Sequence, residues 1–292
     1  MGNPDAAEVI PLWRDGVEPP TTIDGVPDEV EYEVAAGVAA GTTFLRNISE
    51  PTLTVFTPPD GTTSNGTGVI VVPGGGWTIN AWSHEGLDVA EWLTGLGCTT
   101  FLLKYRVMAS EVDQAAFEAR FGAVGAGLAA PLPKASKPTA IGELIRAPEY
   151  EAARAACADD GRRAIEIARR EAARLGVRPE SIGALGFSAG AFLIVDVALD
   201  PRAEQLAFIA PIYGGETRGA PVPADAPPLF AAVAQDDALV RIVEGLAADW
   251  STADRPTELH VFARGNHGFG MVRQGTPSDR WTDLFEAWLV DR

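Results

Sequence analysis

The sequence predicts an α/β architecture: an open, mostly parallel, doubly wound sheet with helices on both faces. Three observations predict it. Short runs of strand length are continuously apolar rather than alternating, the pattern of strands covered on both faces. Helix-length stretches lie between them, so the two element types alternate over most of the chain. One junction, Gly186-Phe187-Ser188-Ala189-Gly190, is a sharp glycine-flanked turn between a strand and a helix. At 292 residues the chain can bury about three-quarters of its unfolded surface in one core. Residues 1–292 are therefore expected to form one domain.

The elements follow in order. Leu53–Thr57 and Val69–Val72 are β-branched or apolar runs and read as strands, followed by a helix over Glu85–Leu96 and a strand over Thr99–Tyr105. A long helix is expected over Glu151–Leu175, with Pro148 as a first-turn residue and Leu175-Gly176 as its stop. The strand Ile182–Gly186 feeds the helix Ala189–Leu199, and the strands Phe208–Ile212 and Leu229–Ala234 come next. The helix Val240–Trp250, the strand Leu259–Phe262 and the helix Asp279–Val290 complete the series. One segment breaks the rhythm. Residues 108–147, from Met108 to Ala147, are rich in Ala, Gly and Pro, with one weak helix around Glu111–Phe121; a lid over the sheet's C-terminal edge is expected there.

Composition narrows the function classes. The chain carries 23 Lys+Arg against 40 Asp+Glu, a formal net charge of −17. That balance argues against nucleic acid or an anionic membrane as partner, because phosphates are held by Lys and Arg patches. Two cysteines, Cys98 and Cys157, cannot form a disulfide framework or a zinc knuckle and read as small buried hydrophobes. The best apolar run, Ile182 to Leu199, is interrupted by Gly183, Gly186, Gly190 and Asp196, so no membrane-spanning helix is expected. Met1 to Ala7 lacks the basic and apolar regions of a signal peptide. No metal or organic cofactor is expected.

The junction at 186–190 carries the chemistry. A sharp turn leaves no room for side chains at its flanks and forces the central residue into an unfavourable backbone conformation. Ser188 then stands above the sheet as a candidate nucleophile, at a helix N-terminus that favours developing negative charge. Serine needs a base to take its proton, and the chain has three histidines. His84 precedes the nucleophile, the wrong order for this turn, and is expected to border the site or cap a helix. His260 sits at a polar alternate position of a strand. His267, in the glycine-flanked loop Gly265-Asn-His-Gly-Phe-Gly270, is the candidate base.

An acid must orient the imidazole and stabilise its cation. The strand Leu229–Ala234 runs into Gln235-Asp236-Asp237, at a strand end where α/β sites form. Asp237, three residues before Val240, is the candidate acid; Asp236 is its rival and otherwise a loop charge or turn former. Donors for an oxyanion come from Val69-Ile-Val-Val-Pro-Gly-Gly-Gly-Trp77, where bare backbone N–H groups can face a ligand. Gly75, Gly76 and the N–H of Ala189 are the candidate hole. Trp77, Glu85, Tyr105 and Phe187 are candidate substrate-binding residues. Glu85 has the alternative role of serving its helix N-terminus. Asp160 falls on the apolar stripe of the long helix and is expected to be a buried, hydrogen-bonded carboxylate. Trp92 and Trp288 are expected to pack helices on the sheet.

These motifs together resemble the bacterial α/β-hydrolase esterases of the acetyl-xylan-esterase-like or acetyl esterase–lipase type, relatives of the hormone-sensitive-lipase group. The matching residues are Ile10-Pro-Leu-Trp13, Pro73-Gly-Gly-Gly-Trp77, His84-Glu-Gly86, Ala90-Glu-Trp-Leu93 and Leu103-Lys-Tyr-Arg106, then Gly186–Gly190 and His267-Gly-Phe-Gly270 with Trp281 and Trp288. The resemblance implies an α/β-hydrolase fold, hydrolysis of short acyl esters such as acetyl groups on sugars, and a triad of Ser188, Asp237 and His267. The sequence departs from the pattern at Gly190-Ala-Phe-Leu193, where such enzymes usually continue with Gly-His-Leu, and between Arg106 and Pro148. A lipase, peptidase or amidase on the same fold, and a non-catalytic binding protein, are the competing readings. The partner expected is a small-molecule or carbohydrate ester.

Overall fold

The apolar runs assemble into a mixed sheet whose centre is wholly buried. The computed structural model describes residues 8–14, 16–34, 39–129 and 147–290. Its strands are β1 (Glu8–Pro11), β2 (Val30–Glu33), β3 (Thr43–Arg46), β4 (Thr52–Phe56), β5 (Gly68–Val72), β6 (Ile79–Asn80), β7 (Thr99–Lys104), β8 (Ile182–Phe187), β9 (Ile209–Ile212), β10 (Leu229–Ala234) and β11 (Thr257–Phe262). The helices are α1 (Asp88–Gly95), α2 (Gln114–Ala129), α3 (Pro148–Glu171), α4 (Ala189–Leu199), α5 (Val240–Thr252) and α6 (Trp281–Val290). No helix among the described residues is long and apolar enough to cross a membrane.

The eight-stranded sheet runs β1-β4-β7-β5-β8-β9-β10-β11. From β7 to β11 every neighbour is parallel, while β1, β4 and β7 pair antiparallel. Every residue of β5, β8, β9 and β10 is buried, which is why these runs carry no polar alternation. The edge strand β11 is half-exposed and extends two residues earlier than its apolar run, through Thr257 and Glu258. A second sheet, β2-β3-β6, escapes sequence reading, as does β1. These strands span two to four residues, and β1 and β2 are largely exposed, so burial leaves little imprint on their sequence.

Helices cover both faces. On one, Phe208 and Phe230 pack on Phe285 and Trp288 of α6, and Trp92 of α1 meets Trp281 and Phe285. Gly183 makes room there: a Cβ at that position would run into the Phe208 ring. On the other face α3 lies against α4, with Gly161 admitting Leu193 and Val197. The expected helix at Glu85 begins as a five-residue π-turn, Ser83–Leu87, before α1 takes over. Cys98 and Cys157 are free and buried.

Asp160 of α3 is buried, as its place on the apolar stripe predicted, and joins two distant motifs. It accepts from the indole of Trp13 at 2.7 Å, from the Arg106 backbone N–H at 2.9 Å, and pairs with the Arg106 guanidinium at 2.8 Å. Burial pushes its carboxyl upward, and the Arg106 hydrogen bonds and charge offset part of that. In the expected lid segment, α2 is longer than the weak helix foreseen. Arg46 anchors its approach through Glu111 O, Val112 O at 3.1 Å and Gln114. Residues 130–146, where the rest of that expected lid falls, lie outside the described residues.

Candidate active site

The central strands end in three loops that converge above β8. The first is the turn from β8 into α4. Ser188 there has φ 48° and ψ −115°, a left-handed conformation that only surrounding structure can enforce. The glycines permit it. A Cβ on Gly190 would strike the carbonyls of Val72 and Pro73, and one on Gly186 would strike the Gly190 carbonyl.

The second and third loops bring the base and the acid. Ser188 Oγ lies 2.8 Å from His267 Nε2, and His267 Nδ1 lies 2.9 Å from Asp237 Oδ2. Asp237 is fully buried, and its other oxygen accepts the Leu239 N–H at 2.7 Å. This geometry fixes the tautomer: Nδ1 carries the proton given to Asp237, leaving Nε2 to accept from the serine. Burial lowers the imidazole pKa, but the charge and hydrogen bond of Asp237, joined by the charge of Glu85, outweigh it and raise it above 6.5. Asp236, the rival acid, is exposed and points elsewhere. Its Oδ1 accepts the N–H groups of Gly265 at 3.0 Å and Asn266 at 2.8 Å, clamping the root of the His267 loop.

The glycine-rich loop after β5 closes over the serine. Gly75, Gly76 and Trp77 all take positive φ, at 131°, 59° and 55°. The loop is pinned by Thr78 and Ile79 N–H to Gly75 O and by Ala81 N–H to Gly74 O. Among the described residues no protein acceptor engages the N–H groups of Gly75, Gly76 or Ala189. Gly74 sits against the nucleophile: a Cβ there would lie 2.9 Å from Ser188 Cβ and 2.8 Å from Phe187 O. A serine hydroxyl hydrogen-bonded to an imidazole that is itself held by a carboxylate can be activated as a nucleophile.

The four residues expected to touch substrate lie beneath this surface instead. Tyr105 and Phe187 are 0% exposed, Trp77 2% and Glu85 3%. Tyr105 donates to Pro73 O at 2.8 Å and props the glycine loop from below. Phe187 packs on Tyr213 and Trp281, because its position on β8 points it into the core. Trp77 packs on Phe192 and Tyr150. Glu85 accepts the Gly74 N–H at 2.7 Å and the Tyr213 hydroxyl at 2.7 Å. His84 borders the site, stacking on Phe44, while His260 is remote and pairs with Glu258 at 2.7 Å.

Tyr213, which the sequence offers only as one of several aromatics able to stack a sugar or line an acyl pocket, is buried and tied to the His267 loop. Its ring lies 5.1 Å from that of His267, edge-on, and its hydroxyl accepts the Gly270 N–H at 3.0 Å. The available signal was Tyr213-Gly214-Gly215 at the end of the buried β9. Tyr213 takes φ 41°, and a Cβ on Gly214 would lie 2.5 Å from the Ser188 carbonyl.

No protein-family model and no curated protein matches the chain. Solved structures do. An acetyl ester-xyloside bifunctional hydrolase from Caldicellulosiruptor lactoaceticus aligns over 100% of this chain and 98% of its own at 22% identity, with a TM-score of 0.65. An alpha/beta hydrolase enzyme from a Medee basin deep-sea metagenome library aligns over 83% and 91% at 19% identity, with a TM-score of 0.58. A thermophilic esterase from Thermogutta terrifontis, solved with propionate bound, aligns over 84% and 90% at 18% identity, with a TM-score of 0.56. The chain therefore has the α/β-hydrolase fold.

Proposed function

We propose that the protein is a serine carboxylesterase that hydrolyses short-chain acyl esters, acetyl esters of carbohydrates among them, through an acyl-enzyme. One observation carries this reading: Ser188, His267 and Asp237 form a continuous hydrogen-bonded relay, with the glycine loop packed against Ser188 through Gly74. His267 takes the Ser188 proton as the oxygen attacks the ester carbonyl. The N–H groups of Gly75, Gly76 and Ala189 hold the tetrahedral oxyanion, and His267 returns the proton to the leaving alcohol. Water, deprotonated by His267, then attacks the acyl-serine and releases the acid. The similarity to an acetyl ester-xyloside hydrolase and to an esterase solved with propionate supports a small acyl group. The net charge of −17 favours a neutral sugar ester over a phosphate or free uronate.

A p-nitrophenyl series from acetate to decanoate tests the acyl range, with acetate release from acetylated xylan as the companion assay. The expected result is turnover of acetate and butyrate with a steep fall toward octanoate, and acetate freed from the polymer. A preference for octanoate or decanoate makes the protein a lipase; cleavage of p-nitroanilides in place of esters makes it an amidase.

The same assay reports the state of His267. The base works only when neutral, and its pKa lies above 6.5, so protonation disables it as pH falls through that raised value. The acid limb of kcat/KM is expected above pH 6.5; a limb below it contradicts the upward influence of Asp237 and Glu85.

A further inference from the structure

Glu85 is a buried carboxylate without a guanidinium or ammonium partner among the described residues. It is 3% exposed; Gly74 N–H and the Tyr213 hydroxyl each donate to one of its oxygens at 2.7 Å. Among the described residues the basic side chain within 4 Å of it is His84, whose Nε2 stands 3.6 Å away. Asp159 and Asp160, which are as deeply buried, are matched by Arg162 and Arg106. A buried carboxylate without such a match costs several kcal/mol of desolvation, and a neutral side chain could fill the same space.

Its two hydrogen bonds reach different parts of the site. Gly74 opens the oxyanion loop and packs on Ser188, with no room for a Cβ against Glu85 Oε2 at 2.7 Å. Tyr213 hands the contact on, accepting from Gly270 N–H in the loop that carries His267. That loop is also tied to the π-turn of Glu85 by Met271 N–H to His84 O at 3.0 Å, and to α6 by the Trp281 indole on Gly270 O at 2.8 Å. Gly270 has no space for a Cβ either, with His84 Cδ2 at 2.8 Å and Glu85 Cγ at 3.0 Å.

Building on the esterase reading above, we propose that Glu85 is a positioning residue that fixes the oxyanion loop and the His267 loop to each other, and that its charge assists the imidazole when it becomes cationic. The hydrogen bond to Glu85 requires a protonated Tyr213; burial, followed by the charge of Glu85, holds that phenol well above 10. The titratable groups gathered round His267 are Asp237 and Asp236 from the loop after β10, the latter bound to the root of the His267 loop, Tyr213 after β9, and Glu85 and His84 from the π-turn. Glu85 and Asp237 are the carboxylates that raise its pKa.

The test compares wild type with Glu85→Gln, Glu85→Asp and Tyr213→Phe. With three histidines in the chain, nitrogen NMR follows His267 directly and needs no substrate. In Glu85→Gln the His267 midpoint and the acid limb of kcat/KM are expected to move together to lower pH, with kcat reduced about 10- to 100-fold and KM little changed. Glu85→Asp keeps the charge but not the reach, so kcat falls while the midpoint stays. Tyr213→Phe, which keeps the carboxylate, also lowers kcat and serves as the second variant where Glu85→Gln fails to fold. A folded Glu85→Gln with the His267 midpoint and kcat unmoved overturns the proposal, as does a loss of melting temperature alone. Absence of ester turnover in the wild type refutes the esterase reading instead, and the NMR arm still decides whether Glu85 acts on His267.

Discussion

Ser188→Ala lowers ester turnover by about 10⁶-fold in kcat, with KM and the melting temperature close to wild type. The size of the loss follows from the proposed chemistry. Without Oγ no acyl-enzyme forms, and what remains is the oxyanion hole acting on water, a residual of about 10³- to 10⁴-fold over solution. Stability is expected to hold, because Ser188 Oγ has His267 as its partner and lies at the surface of the site rather than in the sheet. Alanine leaves the φ of 48° strained for any residue with a Cβ, so the backbone strain is unchanged. Steady-state kinetics on p-nitrophenyl acetate checks it; turnover within tenfold of wild type would remove serine from the mechanism.

Asp237→Asn has the second largest effect, about 10⁴-fold in kcat. The fully buried Asp237 accepts from His267 Nδ1 and from Leu239 N–H. Asparagine retains one carbonyl oxygen for Leu239 but presents its NH2 to Nδ1. The imidazole then moves its proton to Nε2, where it can no longer accept from serine. Asp236→Asn is the control. Its oxygen accepts two backbone N–H groups, a task an amide oxygen performs equally well, so kcat is expected within about tenfold of wild type. Inactivation by Asp236→Asn with Asp237→Asn active would exchange the two roles.

The parts of this molecule legible in its sequence are those where burial or steric exclusion leaves few options. The central strands read as continuous apolar runs because both faces are covered, and Leu229–Ala234 has the same bounds in sequence and structure. The serine turn was legible because Gly186 and Gly190 answer to carbonyl contacts no side chain survives. His267 and Asp237 followed from chain order and from their places beyond strand ends; His267 meets Ser188, and Asp237 meets His267, within hydrogen-bond distance.

What escaped reading depends on contacts between distant segments. Tyr105 and Phe187 have the composition of a binding pocket, but the pleat of β8 and the position just beyond β7 turn both inward. Glu85 and Tyr213 are separated by 128 positions, and neither carries a local pattern announcing the other. Asp236 looked like a spare charge until the His267 loop folded back onto it. The short strands β2, β3 and β6 owe their pairing to the small sheet they share, which no periodicity of two to four residues records.

The central claim is that Ser188 is the nucleophile of an ester hydrolase, and active-site labelling tests it most directly. The protein is treated with diethyl p-nitrophenyl phosphate, residual p-nitrophenyl acetate hydrolysis is followed, and the adduct is located by peptide mass spectrometry. The account predicts one diethylphosphoryl group per chain, on Ser188, with activity lost in proportion to labelling. Full activity in protein labelled at Ser188, or inactivation with the label on another residue, would contradict it.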